Sequence, residues 1–346
     1  MRPTRTLPAL ALAVVLSVVL AACGQDTGPA TAPPAEPAEP AEPTEPAEPT
    51  EPAGGTDTTA APADDAGTFP VSVPDGVGGE VVIEARPQRI VSLSPTATEM
   101  LFAIGAGDQV VAVDSLSNHP PEAPVTDLSA YEPSLEAIAA LEPDLVVISW
   151  DPGEVVAGLA GIGVPTLTYG PAATLDDAYA QIEQLGAATG NLAGAAKTVA
   201  EMQARIDAVT AGLGPAPERP LRVYHELDAT FFTATSATFI GELYALLGLE
   251  NIADAADPDG TASGFPQLSA EYIIEADPDL IVITDDAGYG PGDVAARPGW
   301  DTISAVRQGR VLQVDGDLAS RWGPRAVEFL EHIAAEVAAI GRAPAS

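Results

Sequence analysis

A stretch that begins Ser134-Leu-Glu-Ala-Ile and ends Glu142-Pro-Asp-Leu-Val-Val-Ile-Ser149 returns 135 residues later as Ser269-Ala-Glu-Tyr-Ile to Asp277-Pro-Asp-Leu-Ile-Val-Ile-Thr284. Both copies read alike. A Ser suited to capping a helix precedes a short helical spacing, a Pro stops it, and an apolar run with the character of a buried parallel strand follows. A looser echo relates Glu99-Met-Leu-Phe-Ala-Ile-Gly105 to Glu242-Leu-Tyr-Ala-Leu-Leu-Gly248. A chain that repeats such a unit is constrained to two similar α/β lobes. Ligands of open parallel sheets bind beyond the carboxyl ends of the strands, so the natural site is the cleft between the lobes.

The flanking residues fit this alternation. Residues 89–93 read as a strand, Ser94-Pro95 as an N-cap with Pro at the first helical position, and residues 96–104 as a helix closed by Gly105. Strands are expected at 110–113, 145–148, 164–168 and 311–314, and helices at 134–141, 155–162 and 324–340. From 174 to 213 strand signals stop and Val199, Met202, Ile206 and Val209 recur at three- and four-residue intervals, predicting a connecting helix. Gly214-Pro215-Ala216-Pro217 ends it.

Ahead of this body stand two segments of different texture. Arg2 and Arg5 precede a charge-free run from 7 to 22 that is short for a membrane span and reads as a signal peptide. Its end, Leu20-Ala21-Ala22-Cys23-Gly24, resembles the bacterial lipobox, in which the thiol takes a diacylglyceryl group and the chain is cut before Cys23. Acyl chains worth about 0.8 kcal/mol per buried methylene would hold the protein on a membrane. Residues 24–68 contain no aromatic and are dominated by Pro, Ala, Glu and Thr, so they cannot bury enough surface to fold. Glu36, Glu39, Glu42, Glu45, Glu48 and Glu51 recur every third residue, each followed by Pro. That period matches polyproline II and predicts a stiff, solvated tether. The expected division is therefore signal peptide 1–22, lipidated Cys23 and tether 23–70, N-terminal lobe 71–173, connecting helices 174–218 and C-terminal lobe 219–346.

Charge narrows the partners. The 346 residues carry a formal net charge of −36, and the part from Val71 onward holds 40 acids against 12 bases. A nucleic-acid partner is excluded, because nothing could neutralise a row of phosphates. The single Cys and three His rule out a disulfide framework and a zinc-finger array.

Four motifs, in order, carry a resemblance: Arg89-Ile-Val-Ser-Leu-Ser-Pro-Thr-Ala-Thr-Glu-Met100, Glu132-Pro-Ser-Leu-Glu136, Phe239-Ile-Gly-Glu-Leu-Tyr-Ala-Leu-Leu-Gly-Leu-Glu-Asn251 and Pro266-Gln-Leu-Ser-Ala-Glu271. Together they resemble the periplasmic-binding domain of iron-siderophore and cobalamin ABC importers, over about residues 86–340. The resemblance implies two Rossmann-like lobes joined by a single long helix, with limited hinge motion and no enzymatic chemistry. It implies a permease and its ATPase as partners, attachment to the outer face of the cell membrane, a monomer, and no cofactor beyond a bound metal chelate. Glu136 and Glu271 match the glutamates, one per lobe, that dock on permease arginines. Each also sits in the first turn of a helix, where a carboxylate gains about 0.3 to 1 kcal/mol from the dipole; the two roles are compatible.

Trp150 and Asp317 with Arg321 match ligand-contacting positions of cobalamin-type members, and Phe265 stands where those members carry Trp. Trp150 also ends an apolar strand and is followed by Asp151-Pro152-Gly153, which argues for a loop at the cleft. Tyr131 and His119 lie in the loop ahead of the Glu136 helix and complete the candidate set. Aromatic faces and few cations suit a bulky, nearly neutral ligand, placing a corrinoid or a neutral ferric hydroxamate ahead of a catecholate or haem.

Two other classes stay open at this stage. One is a surface enzyme working with paired carboxylates, and the other is a direct metal-ion binder. The motifs that would support them fail. His225-Glu226 lacks a second His at 229, Gly260-Thr-Ala-Ser-Gly264 puts its Ser one place late for a nucleophile elbow, and Lys197-Thr198 lacks the Gly of a P-loop. Gly105-Ala-Gly107 follows a helix rather than a strand.

Overall fold

The computed structural model describes residues 67–214 and 218–342. The signal peptide, Cys23 and the tether up to residue 66 lie outside the described residues, as does Pro215-Ala216-Pro217. Among the described residues no helix is long and apolar enough to cross a membrane.

The chain enters through an antiparallel hairpin, β1 (Val71–Pro74) and β2 (Glu80–Ile83), that the sequence reading did not anticipate. Then come β3 (Ile90–Leu93), α1 (Pro95–Ala103), β4 (Val110–Val113), α2 (Leu135–Ala139), β5 (Leu145–Ile148), α3 (Val155–Gly161) and β6 (Thr166–Thr168). The four later strands form one parallel sheet in the order β4-β3-β5-β6. α1 starts where expected: Ser94 is extended (φ −150°), its hydroxyl accepts from the Ala97 N–H at 3.2 Å, and Pro95 opens the first turn.

Two helices follow, α4 (Leu175–Thr189) and α5 (Leu192–Gly212). The run expected as one connecting helix is thus divided. Gly190 is left-handed (φ +69°) and closes α4, after which Asn191 opens α5 and the chain folds back on itself. The helices approach so closely that a Cβ on Gly186 would collide with the Cβ of Ala195. α5, about 30 Å long at 1.5 Å per residue, runs between the lobes.

The second lobe repeats the first. It comprises β7 (Arg222–Glu226), α6 (Phe239–Leu246), β8 (Glu250–Asn251), α7 (Ala270–Ala276), β9 (Leu280–Thr284), α8 (Pro291–Ala295), α9 (Ser304–Arg307), β10 (Val311–Val314), α10 (Gly316–Ser320) and α11 (Ala326–Arg342). Its parallel sheet has the order β10-β9-β7-β8. Numbered from the first strand of each lobe, both sheets read 2-1-3-4, so the repeat in sequence is a repeat in topology.

Alternation along the strands distributes three apolar cores. Ile90, Leu145 and Val147 on one sheet, and Val223, Leu280 and Val282 on the other, share a single cluster with α1, α4, α5, α6 and α11. The opposite faces are separate: Val91, Leu93, Val146 and Ile148 pack with α2 and α3, while Tyr224, Ile281 and Ile283 pack with Ile273 and Trp300. Because one core spans both lobes, they are joined by buried apolar surface as well as by chain.

Candidate functional site

The strand ends of the two sheets bring the candidate residues to three places. On the N-terminal lobe, β5 delivers Ser149 and Trp150. The Ser149 hydroxyl donates to Ser94 Oγ at 2.8 Å, pinning the strand end to the cap of α1. Trp150 is 47% exposed and Tyr131 66% exposed, with ring centroids 6.4 Å apart and planes tilted by 58°. Two large aromatics this open lie outside the core.

On the C-terminal lobe, two loops form a short ribbon. Thr233 N–H donates to Pro266 O (3.1 Å), Thr235 N–H to Gly264 O (2.8 Å) and Leu268 N–H to Phe231 O (3.0 Å). The ribbon carries Phe265, 45% exposed, and Phe232, 39% exposed. Phe232 is absent from the sequence-derived set. Its signal was the doublet Phe231-Phe232 just beyond a strand end, where one ring turns inward and its neighbour does not. Phe231 adopts φ +68° and stacks on Trp300 at 5.9 Å, leaving Phe232 outward.

The third place is the junction of the lobes, where Arg321 is buried. Its side chain is 7% exposed and donates to Glu99 Oε1 at 2.8 Å, Asn118 Oδ1 at 2.9 Å and Leu116 O at 3.1 Å, all across the lobe boundary. The pair with Asp317 does form, at 2.6 Å, but it is one arm of a larger clasp. Asp317 Oδ2 accepts from Asn118 Nδ2 at 2.7 Å. Arg325 also grips Glu99, through Nη2 at 2.6 Å and Nε at 3.1 Å. One buried carboxylate on α1 therefore holds two guanidinium groups from the other lobe, which a charge buried to this depth requires.

The loop presenting Asn118 and Leu116 is shaped by Asp114, whose carboxylate accepts from Leu116 N–H (2.7 Å) and Ser117 N–H (3.1 Å). Burial raises the Asp114 carboxyl above its ordinary range, with these hydrogen bonds pulling the other way. His119 does not stand with the aromatics. It lines a separate pocket of about 240 Å³ at the junction, with Glu99, Phe102, Pro324 and Arg325. Further ties join the connecting helix α4 to the C-terminal lobe: Leu175 N–H donates to Glu242 at 2.6 Å, and Trp322 Nε1 to Gln181 at 2.8 Å.

Glu136 and Glu271 occupy equivalent places. Each lies in the first turn of its helix, α2 or α7, behind a Ser whose hydroxyl accepts a helix N–H at 3.2 Å. Both are exposed, and among the described residues neither carboxylate takes a hydrogen bond or an ion pair. His225 and Glu226 are wholly buried: the His Nδ1 meets the Tyr244 hydroxyl at 2.7 Å, and Glu226 is clamped by Arg297 at 2.6 and 2.7 Å and by the Tyr289 hydroxyl at 2.5 Å. They are structural parts of the sheet.

Comparison with known proteins agrees with this architecture. Residues 90–318 match the family described as Periplasmic binding protein. The chain is 31% identical over 277 residues to YvrC of Bacillus subtilis, an uncharacterized ABC transporter substrate-binding lipoprotein, covering 78% of this chain and 86% of that one. It is 32% identical over 286 residues to a cobalamin-binding protein of Halobacterium salinarum, covering 79% and 76% respectively. Among solved structures it resembles the periplasmic heme-binding protein RhuT from Roseiflexus sp. RS-1, with TM-score 0.63, 29% identity, and coverage of 72% of this chain and 97% of that one.

Proposed function

From the premise that this chain belongs to the periplasmic binding protein family, we propose that it is the substrate-binding lipoprotein of an ABC importer, capturing a metal chelate at the outer face of the cell membrane and delivering it to the permease. The cargo is a bulky, nearly neutral chelate, with a corrinoid ranked first and a neutral ferric hydroxamate next.

One observation carries the cargo assignment. The two arginines at the lobe junction, Arg321 and Arg325, are both paired with Glu99, while Trp150, Tyr131, Phe265 and Phe232 stand exposed. A ferric catecholate is strongly anionic and would meet a body of 40 acids and 12 bases with these guanidinium groups already neutralised. A corrinoid is held chiefly by apolar burial and stacking, which the aromatics supply. The Halobacterium salinarum relative, a cobalamin-binding protein by name, supports a corrinoid.

The mechanism is capture and presentation. The aromatic rings of the two lobes cover the ligand from opposite sides, while Asp317 is held by Arg321 and Asn118. Glu136 and Glu271, one on each lobe and free of internal partners, dock on basic groups of the permease, so the complex forms only with both lobes correctly spaced. Cys23 carries the lipid anchor, and the Pro/Glu tether holds the lobes away from the membrane.

Titration of the purified protein with cobalamin, a ferric hydroxamate, a ferric catecholate and haem tests the cargo. Tight binding of cobalamin is expected; tight binding of the catecholate with neither neutral ligand bound would overturn the charge argument. Glu136→Ala with Glu271→Ala should abolish uptake and leave ligand affinity unchanged; loss of affinity in the purified double variant would refute the separation of docking from binding. Cys23→Ser should release the protein from membranes, and retention as firm as the parent's would refute lipidation.

A further inference from the structure

One residue beside the aromatic ribbon of the C-terminal lobe holds a conformation that its type avoids. The loop after β7 turns back at Asp228, whose carbonyl accepts from the Phe231 N–H at 3.1 Å and whose carboxylate accepts from the Thr230 N–H at 2.7 Å and the Thr230 hydroxyl at 2.6 Å. Phe231 closes this turn at φ +68°. Glycine or asparagine takes that left-handed place freely in a hairpin loop, whereas a bulky side chain is strained there. Strain of this kind persists where the surroundings impose it, and it gathers at ligand-holding sites.

The surroundings here are specific. The Phe231 ring stacks on Trp300, itself 1% exposed, with the planes 29° apart. The Arg297 guanidinium carbon lies 5.4 Å from the Phe231 centroid, 5.1 Å from that of Tyr289 and 4.5 Å from that of Trp300. Arg297 and Tyr289 both donate to Glu226 at the end of β7. Three chain segments thus meet on one guanidinium: the strand end, the loop after β9 and the turn that Phe231 closes.

The register of the ribbon shows what this anchor controls. Its hydrogen bonds set residue 231 opposite 268, 233 opposite 266 and 235 opposite 264. Side chains alternate across such a pair, so Phe231 and Leu268 fall on the face that packs with Trp300, and Phe232 and Phe265 are diagonal neighbours on the other. The exposed rings of this lobe therefore share a platform that is fixed from behind by the Phe231 ring.

We propose that Phe231 is a positioning residue for cargo capture, a role that rests on the cargo reading. It touches no ligand. Its ring, held by Trp300 and Arg297, sets the direction of Phe232 and Phe265 before a ligand arrives, so stacking on them requires no reordering of the ribbon. A part in the core alone does not account for the choice of residue, because glycine would make the same turn without strain and Trp300 already has Tyr224 against it at 6.5 Å.

Phe231→Gly keeps the left-handed turn and removes the ring, whereas Phe231→Tyr keeps both. In titrations of the purified protein with cobalamin, Phe231→Gly should weaken binding about tenfold, and Phe231→Tyr should stay within about twofold of the parent. Because Phe231 acts through its neighbours, Phe231→Gly should cost less than about twofold once Phe232→Ala and Phe265→Ala are present. Hydrogen exchange reads the anchor without a ligand. The amides of Thr233 and Leu268, which donate across the ribbon, should exchange at least about tenfold faster in Phe231→Gly and at the parent's rate in Phe232→Ala. Parental affinity in Phe231→Gly, equal losses in both backgrounds, or unchanged exchange would each overturn the proposal. If the parent binds no chelate, the cargo reading fails, and the exchange comparison alone decides whether Phe231 holds the ribbon.

Discussion

In the sheet of the N-terminal lobe, Ser92 lies opposite Val147 and Leu93 opposite Ile148; in that of the C-terminal lobe, His225 lies opposite Val282 and Glu226 opposite Ile283. These are the same four places in a shared 2-1-3-4 topology. On the side facing the common core, the Ser92 hydroxyl meets Thr98 of α1 at 2.9 Å, and the His225 ring meets Tyr244 of α6 at 2.7 Å. On the outer side the contrast is sharper. Leu93 sits among apolar neighbours, whereas Glu226 is a buried carboxylate whose partner Arg297 is surrounded by the rings of Trp300, Tyr289 and Phe231 at 4.5, 5.1 and 5.4 Å. One topology is therefore maintained by neutral groups in one lobe and by an ion pair in the other. Strand order is indifferent to whether the first strand carries hydroxyls and apolar groups or an imidazole and an ion pair.

Removing the cation should expose this difference most strongly. Arg297→Ala strands Glu226 in the core and is expected to cost about 3–5 kcal/mol in urea unfolding. Making the C-terminal lobe like its twin, with Glu226→Leu and Arg297→Met together, should cost far less or raise stability. If the double change is as damaging as Arg297→Ala, the ion pair is more than a replaceable solution to burial.

A smaller effect separates Ser92 from His225. Burial lowers the imidazole to about 4, while in the unfolded chain it titrates near 6.5. Between these values the unfolded state binds the extra proton, so this residue's contribution is complete above pH 6.5, declines as pH falls, and is gone below about 4. The loss amounts to about 3 kcal/mol. His225→Gln should flatten stability across that window relative to the parent, and an unchanged slope would refute the assignment. Ser92→Ala should cost about 1 kcal/mol with no pH dependence, because Thr98 keeps its second partner Ser117 at 3.0 Å. Smallest are Glu136→Ala and Glu271→Ala, each a few tenths of a kcal/mol in melting experiments at low salt, from the helix dipole alone.

Much of the fold was legible because its signals are local. Ser94-Pro95 and Ser134 announce helix starts, and the all-apolar runs 145–148 and 280–283 announce buried strands. The division of the helical run was legible too, in Gly190-Asn191, but the spacing of apolar residues continues across it and masked the break. The hairpin of β1 and β2 was missed because four-residue strands around a Gly-rich turn carry little periodicity. What sequence could not supply was the identity of long-range partners. Glu99 is a lone acid in the apolar string Met100-Leu-Phe-Ala-Ile104, and such a charge, if buried, must be paired; nothing local says that its partners lie more than 220 residues away. For the same reason the partners of Arg321 across the junction were not legible.

That clasp has a thermodynamic consequence. With Glu99 holding Arg321 and Arg325 from the far lobe, the lobes are already tied together before a ligand arrives, which favours a preorganised site. Cargo binding should then show a heat-capacity change no larger than the apolar surface covered by the ligand itself would give, and a single association phase whose rate rises linearly with concentration. Glu99→Gln, which weakens both grips at once, should add a slower phase that is independent of concentration, the kinetic trace of two walls finding their spacing after the ligand has arrived.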